Sequence, residues 1–206
     1  MLVASSTANA QRTKSGGTKT GGTLSTLANP NGVGGYVSST HYGLFYNIPV
    51  SKKIGVQSEV LLSLMGGYGF DGFPNIFPYI SAPLILKYYP SQEVNLQMGG
   101  SLSYMLFDTS ASSWFSEAGT GNYHRYDSGL YLGMGYDAAK IQLYARYYYG
   151  AVNINPLKNY WTGAGDESVF VDHSEKNRAF QIGIEYKLIR KKKDRRQRFG
   201  KYARPQ

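Results

Sequence analysis

The chain has 206 residues, including 25 glycines, 19 tyrosines and no cysteine, with aromatic residues at 15% and charged residues at only 17%. This balance disfavours an ordinary soluble α/β enzyme, and the missing cysteine excludes disulfides, thiolate metal sites and a lipidated cysteine. The formal net charge of +9 is concentrated in RKKKDRRQR at 190–198, so the body is nearly neutral and the charge does not by itself make a nucleic-acid binder.

In chain order, Met1-Leu2-Val3-Ala4 and then Ala8-Asn9-Ala10 before Gln11 look like the end of a secretory signal with an A-x-A cleavage site. Residues 1–10 are read as a signal-peptide remnant and 11–17 as a polar leader; a disordered polar leader throughout is the alternative. Residues 18–27 read as a weak first strand, and 28–34 (ANPNGVG) are dense in turn formers. The second strand, 35–50, sets Tyr42, Leu44, Tyr46 and Ile48 on one face, and 51–53 is a short turn. The third, 54–68, opposes Val56, Val60, Leu62 and Leu64 to Gln57, Glu59 and Ser63; 69–77 is a longer loop.

The fourth strand, 78–89, points Ala82, Leu84, Leu86 and Tyr88 outward, and its Pro83 requires a bulge or an unpaired position. After the short connection Pro90-Ser91-Gln92, the fifth strand, 94–107, is outward at Leu96, Met98, Leu102, Tyr104 and Leu106. Residues 108–123 form a long polar loop containing Trp114 and Phe115.

The clearest signal is the hairpin at 126–151. Leu130, Leu132, Met134 and Tyr136 oppose Gly129, Tyr131, Gly133 and Gly135, and on the return arm Ile141, Leu143, Ala145, Tyr147 and Tyr149 oppose Gln142, Tyr144, Arg146 and Tyr148. A period of two is strand geometry. A two-residue turn at Ala138-Ala139 pairs Tyr136 with Ile141, Met134 with Leu143, Gly133 with Tyr144 and Gly129 with Tyr148, setting tyrosine rings over glycines as curved barrels do. Ala-Ala is a poor type I′ turn, which leaves a longer bulged loop as the alternative. A second long loop, 153–176, carries Tyr160 and Trp161, and the last strand, 177–189, is outward at Phe180, Ile182, Ile184, Tyr186 and Leu188.

Short turns alternate with long polar loops, and no stretch reaches the length of an apolar membrane helix, so any crossing uses strands. The predicted fold is all-β: an eight-stranded antiparallel up-and-down transmembrane β-barrel over 18–189, with long loops outside a bacterial outer membrane and termini periplasmic. Tyr46, Tyr88, Tyr136 and Tyr186 then fall at the short-turn ends, and Tyr79, Tyr104, Phe107 and Tyr147 near the long-loop ends, as two interfacial girdles require. Glu59, Lys87, Arg146, Glu185 and Lys187 point inward with mixed sign. In so narrow a barrel they are expected to pair and fill the lumen; a gated proton or ion path is the alternative.

GVQSEVLLSLMG (55–66), YISAPLILKYY (79–89), LQMGGSLSYML (96–106) and FQIGIEYKL (180–188) resemble strands of the small outer-membrane β-barrel domain common in Bacteroidetes, the PorT-like group. The resemblance spans about residues 17–189. Ser81 stands where that family often has an acidic residue, and Leu188 where a terminal aromatic is usual. It implies outer-membrane placement, insertion by the barrel assembly machinery and no shared catalysis; some relatives assist a protein-secretion system.

His41, His124 and His173 fall on the long-loop side, the last two beside Asp127 and Asp172, and are read as solvated loop residues in preference to a metal site or an acyl-hydrolase constellation. No phosphate loop, zinc signature or paired catalytic carboxylate is evident, so no catalytic residue, cofactor or metal is expected. The expected function is a non-enzymatic, porin-like cell-envelope barrel with a structural or accessory role. The alternatives are a lipid-modifying barrel enzyme and a soluble ligand-binding barrel with apolar residues inward. Expected partners are outer-membrane lipid, the assembly machinery and, for the basic 190–206 tail (Arg190, Lys191, Lys192, Lys193, Arg195, Arg196, Arg198), an acidic periplasmic partner or secretion component, but no nucleic acid.

Overall fold

Each alternating segment forms a strand: β1 (Ser15–Asn29), β2 (Gly32–Val33), β3 (Val37–Pro49), β4 (Ile54–Tyr68), β5 (Pro74–Tyr88), β6 (Val94–Met105), β7 (Tyr126–Ala138), β8 (Ile141–Gly150) and β9 (Lys176–Arg190). The computed structural model describes residues 13–29, 32–68, 74–107, 123–155 and 174–190. Every neighbouring pair is antiparallel in the order β1-β3-β4-β5-β6-β7-β8-β9, and β9 pairs back onto β1 from Ser15↔Arg190 to Ala28↔Lys176. The two-residue β2 only extends the β1 hairpin, so the wall is a closed eight-stranded up-and-down barrel. Closure leaves no strand edge with unpaired backbone groups.

Local chemistry shapes the short-turn end. The Oγ of Ser51 accepts the N–H groups of Lys53 (3.2 Å) and Ile54 (3.0 Å), and the Oγ of Ser91 accepts that of Val94 (3.0 Å). These serine turns hold β3–β4 and β5–β6 tightly. The β7–β8 turn differs from expectation: Ala138 pairs with Ile141, so the two turn residues are Ala139 and Lys140, with Ala139 at φ 49°. The partners therefore move by two residues, to Tyr136↔Leu143, Gly133↔Arg146 and Gly129↔Gly150, and every side chain keeps its face. Tyr148 still covers Gly129, now diagonally; a Cβ there would lie 2.7 Å from its ring.

Three boundaries also move. β1 begins at Ser15, inside the expected leader, because its backbone pairs with both β3 and β9 whether or not its side chains are apolar. β3 starts only at Val37, and β5 reaches down to Pro74 because Gly66–Tyr68 of β4 continues to pair with it. At Pro83 the β4–β5 ladder lapses and resumes in the same register, from Ser58↔Leu84 to Leu61↔Ser81, so the proline is unpaired on its β4 side while it stays in register with Ser101 of β6. The proposed signal remnant at 1–10, Trp114, Phe115, Tyr160, Trp161, His173 and the tail after Arg190 lie outside the described residues.

The outer wall is an apolar belt of Leu44, Leu62, Leu84, Leu102, Leu132 and Ile182, all exposed. Tyr46, Tyr88, Tyr136 and Tyr186 border it at the short-turn end, and Phe107, Tyr126, Tyr147 and Tyr149 at the other. Tyr126 and Tyr136 on β7 stand about 33 Å apart along the strand, or about 23 Å along the axis at a tilt of about 45°, close to the apolar band of membrane barrels.

One expected girdle member is misplaced. Tyr79 is 0% exposed and faces the lumen, as its odd position beside outward Ile80 and Ala82 dictates. Nearness to the rim was the wrong criterion; strand parity decides the face.

Candidate functional site

The inward positions of the strands converge on one layer near mid-height. Arg146 of β8, 1% exposed, reaches across the barrel to Glu59 of β4, donating from Nη2 to Oε1 (2.6 Å) and from Nη1 to Oε2 (2.9 Å). Its Nε donates to Gln97 (2.6 Å), and Nη2 also reaches Glu185 (3.2 Å). Lys87 of β5 pairs with Glu185 of β9 (3.1 Å) and donates to Gln142 (2.9 Å). β4 and β8 stand four places apart in the ring, as do β5 and β9, so both ion pairs lie across the diameter. A planar guanidinium fork with two carboxylate oxygens is the strong form of such a pair.

The sequence reading missed Lys19, which β1 delivers into the same layer. Its Nζ meets Glu59 (2.9 Å) and Glu185 (3.2 Å). The layer thus holds three cations, Lys19, Lys87 and Arg146, against two carboxylates, Glu59 and Glu185. Aromatic rings offset the imbalance: Lys19 Nζ lies 4.1 Å from the centre of the Tyr144 ring, and Arg146 lies 4.9 Å and 5.8 Å from Tyr144 and Tyr131. The negative ring faces favour cations most in a desolvated setting. The Nε2 of Gln57 ties the two acids together, donating to Glu59 (2.7 Å) and Glu185 (2.8 Å).

Lys187 does not join this layer. It pairs with Asp137 near the short-turn end, where Asn95 donates to the same carboxylate (3.3 Å), so its partner comes from the last turn-side residues of β7, one strand beyond the neighbouring β8. His41, expected in a solvated loop, is 0% exposed inside the barrel on β3. Its Nδ1 meets Thr23 (2.8 Å) and its Nε2 the hydroxyl of Tyr144, which leaves neither nitrogen to a nucleophile. His124 is exposed at the entry to β7.

Above the ionic layer, toward the long loops, the lumen turns apolar: Leu27, Met65, Phe77, Met105 and Ile154 cluster, with Tyr123 packed 4.7 Å from Phe77. Asp127 is held there by Tyr148 (3.0 Å) and Asn177 (2.9 Å), and Asn177 also donates to Tyr79 (3.2 Å). An eight-stranded lumen has room for side chains and little else. Here ionic layer and apolar cluster are stacked along it. Among the described residues no group of three or more His, Asp or Glu side chains is placed to hold a metal.

The other expected site residues lie where the strands carry them. Tyr104 is partly exposed and accepts a bond from Arg125 (3.3 Å), and Arg190 ends β9 opposite Ser15. Lys191, Lys192, Lys193, Arg195, Arg196 and Arg198 lie outside the described residues.

No family model matches the chain, and no curated protein does. Among solved structures it is similar to Ail, the attachment invasion locus protein of Yersinia pestis, at 14% identity and TM-score 0.48, covering 86% of this chain and 99% of that one. It is also similar to the outer membrane protein OprG from Pseudomonas aeruginosa, at 16% identity and TM-score 0.42, covering 86% and 98%. A third is the NanC porin, at 12% identity and TM-score 0.32, covering 83% and 99%. The barrel described above rests on this chain's own closed strand ladder.

Proposed function

We propose that the chain is a non-enzymatic barrel of a bacterial outer membrane, of the small PorT-like kind, with a structural or accessory role in envelope maintenance or protein secretion. The observation that carries this reading is sidedness: charged and polar groups face a filled lumen while Leu, Ile, Met and Tyr side chains form a continuous exposed belt. A soluble ligand-binding barrel needs the reverse arrangement. An apolar belt of this height is costly in water and favourable in a bilayer, where only a helix or a closed barrel satisfies its backbone. The alternating short turns and long loops support a periplasmic short-turn end, which would carry both termini and the basic tail.

A lipid-modifying enzyme of the rim would need a histidine beside a nucleophile and an acid; the engagement of both His41 nitrogens by Thr23 and Tyr144 argues against that residue. Fractionation of cells making the full chain tests the reading. The expected result is carbonate-resistant recovery with the outer membrane, folded migration that collapses only on heating, and no turnover of phospholipid or lipid A by the purified barrel. Recovery in the soluble fraction would refute the membrane placement, and turnover would refute the non-enzymatic role.

A further inference from the structure

Among the described residues, the strands turn no charged side chain outward between Ser15 and Asp127 or along β8. Among the residues of described burial, the outer wall carries hydroxyls in places, as at Thr18 and Thr20, and charge where β9 begins. There Lys176 and Arg178 share the outward parity of Phe180 and Ile182. The chain also enters β7 through the exposed Arg125. Backbone bonds from His124 N to Ile154 O (2.7 Å) and from Ile154 N to Glu175 O (2.8 Å) set the upper ends of β7, β8 and β9 side by side. The three cations therefore occupy one arc of the long-loop rim, directly above the apolar belt at Leu130, Tyr147 and Phe180.

The two arginines are held in place, though not by acids among the described residues. The guanidinium of Arg178 lies 3.5 Å from the centre of the Tyr149 ring, and its Nη1 donates to the carbonyls of Gly150 (2.7 Å) and Asn177 (3.0 Å). Arg125 donates to the hydroxyl of Tyr104 (3.3 Å), whose ring meets Tyr126 edge-on at 5.2 Å. The neighbouring carboxylates face inward: Asp127 bonds Tyr148 and Asn177, and Glu175 bonds Tyr123 and Asn155. Among the described residues no carboxylate forms an ion pair with Arg125, Lys176 or Arg178.

We propose that this arc binds the phosphate of an anionic lipid in the leaflet at the long-loop end, with the lipid's acyl chains lying on the belt below. A fixed guanidinium presents forked N–H donors suited to phosphate oxygens, and tyrosines at the same height sit where headgroups begin. Placement on the outer wall favours a lipid over a free ion, because only a lipid also uses the apolar surface beneath. The inference rests on the membrane reading given above.

The test folds the full chain into vesicles of phosphatidylcholine doped with phosphatidic acid, then extracts it in mild detergent and measures retained lipid by native mass spectrometry. The wild type is expected to enrich phosphatidic acid over phosphatidylcholine. Arg178→Gln and Arg125→Gln should each lower that enrichment about fivefold. The Arg125 guanidinium, unlike that of Arg178, holds no backbone carbonyl among the described residues and bonds the Tyr104 hydroxyl, so its variant remains informative if loss of the Arg178 contacts impairs folding. Lys52→Gln with Lys53→Gln, at the opposite end, should leave the enrichment unchanged. Equal loss in that control, no loss in either arginine variant, or full competition by inorganic phosphate would each overturn the proposal. Vesicle flotation of the same samples separates the two readings: wild type that fails to float defeats the membrane placement, whereas wild type that floats without lipid selectivity defeats this inference alone.

Discussion

Two levels of one lumen are filled by opposite chemistry. At mid-height Arg146 and Lys87 meet Glu59 and Glu185 across the full diameter, with Lys19 joining both acids from β1, while toward the long loops Leu27, Met65, Phe77 and Ile154 pack as an ordinary core. The ionic layer is specified by complementarity, since each group is tolerable only because its partner is present. The apolar cluster is specified by volume and loses stability with each void. The two levels should therefore respond to paired substitutions in opposite ways.

The largest effect is expected at Arg146. Arg146→Met removes the bidentate partner of buried Glu59, leaving that carboxylate to Lys19 and Gln57, and should cost about 3 to 5 kcal/mol in reversible unfolding from lipid. Adding Glu59→Gln should restore part of that loss, with a coupling of about 0.5 to 3 kcal/mol in a double-mutant cycle. Phe77→Ala, in the apolar cluster, should also cost about 3 to 5 kcal/mol, but adding Met65→Ala should deepen the loss, because no uncompensated charge is relieved. If the second change helped at both levels or at neither, the contrast would collapse.

On the outer wall, Leu132→Arg should cost about 2 to 4 kcal/mol near the bilayer midplane. Gln142→Arg is not a mild inner-wall counterpart, since Gln142 is buried and accepts the Lys87 ammonium, so a further cation there meets an existing excess. The smallest effect is expected at Lys187→Gln, whose pair with Asp137 retains contact with solvent and should contribute at most about 1 kcal/mol, measured by the same unfolding.

The facing of most residues was legible because strand parity is set by the backbone and survives errors of register. The β7–β8 hairpin shows this: its turn was assigned one residue early, every cross-strand partner was wrong by two, and yet Arg146 and Tyr144 remained inside. Turn position was less legible, because Ala138, Ala139 and Lys140 offer no glycine or asparagine to mark the left-handed residue. Lys19 escaped notice because β1 is rich in glycine and threonine and shows no apolar alternation to place it. His41 has inward parity on β3, alternating with outward Tyr42, so counting from Tyr42 would have found it where a rule about loop proximity did not. Pairing of Glu59 or Glu185 with Arg146 or Lys87 across the interior was legible from inward parity and opposite sign; which acid takes which cation was left open, and the closed ring, which sets strands four apart opposite each other, gives Arg146 to Glu59 and Lys87 to Glu185.

The central claim is that the lumen is a packed, ion-paired interior with no water-filled path through it. Planar-bilayer recording of the folded full chain tests it most directly. The account predicts a silent bilayer for the wild type, and brief or unstable conductance only when the interior is emptied at both levels, as in Arg146→Ala with Phe77→Ala. A steady, ohmic, ion-selective conductance from the wild-type barrel would contradict it.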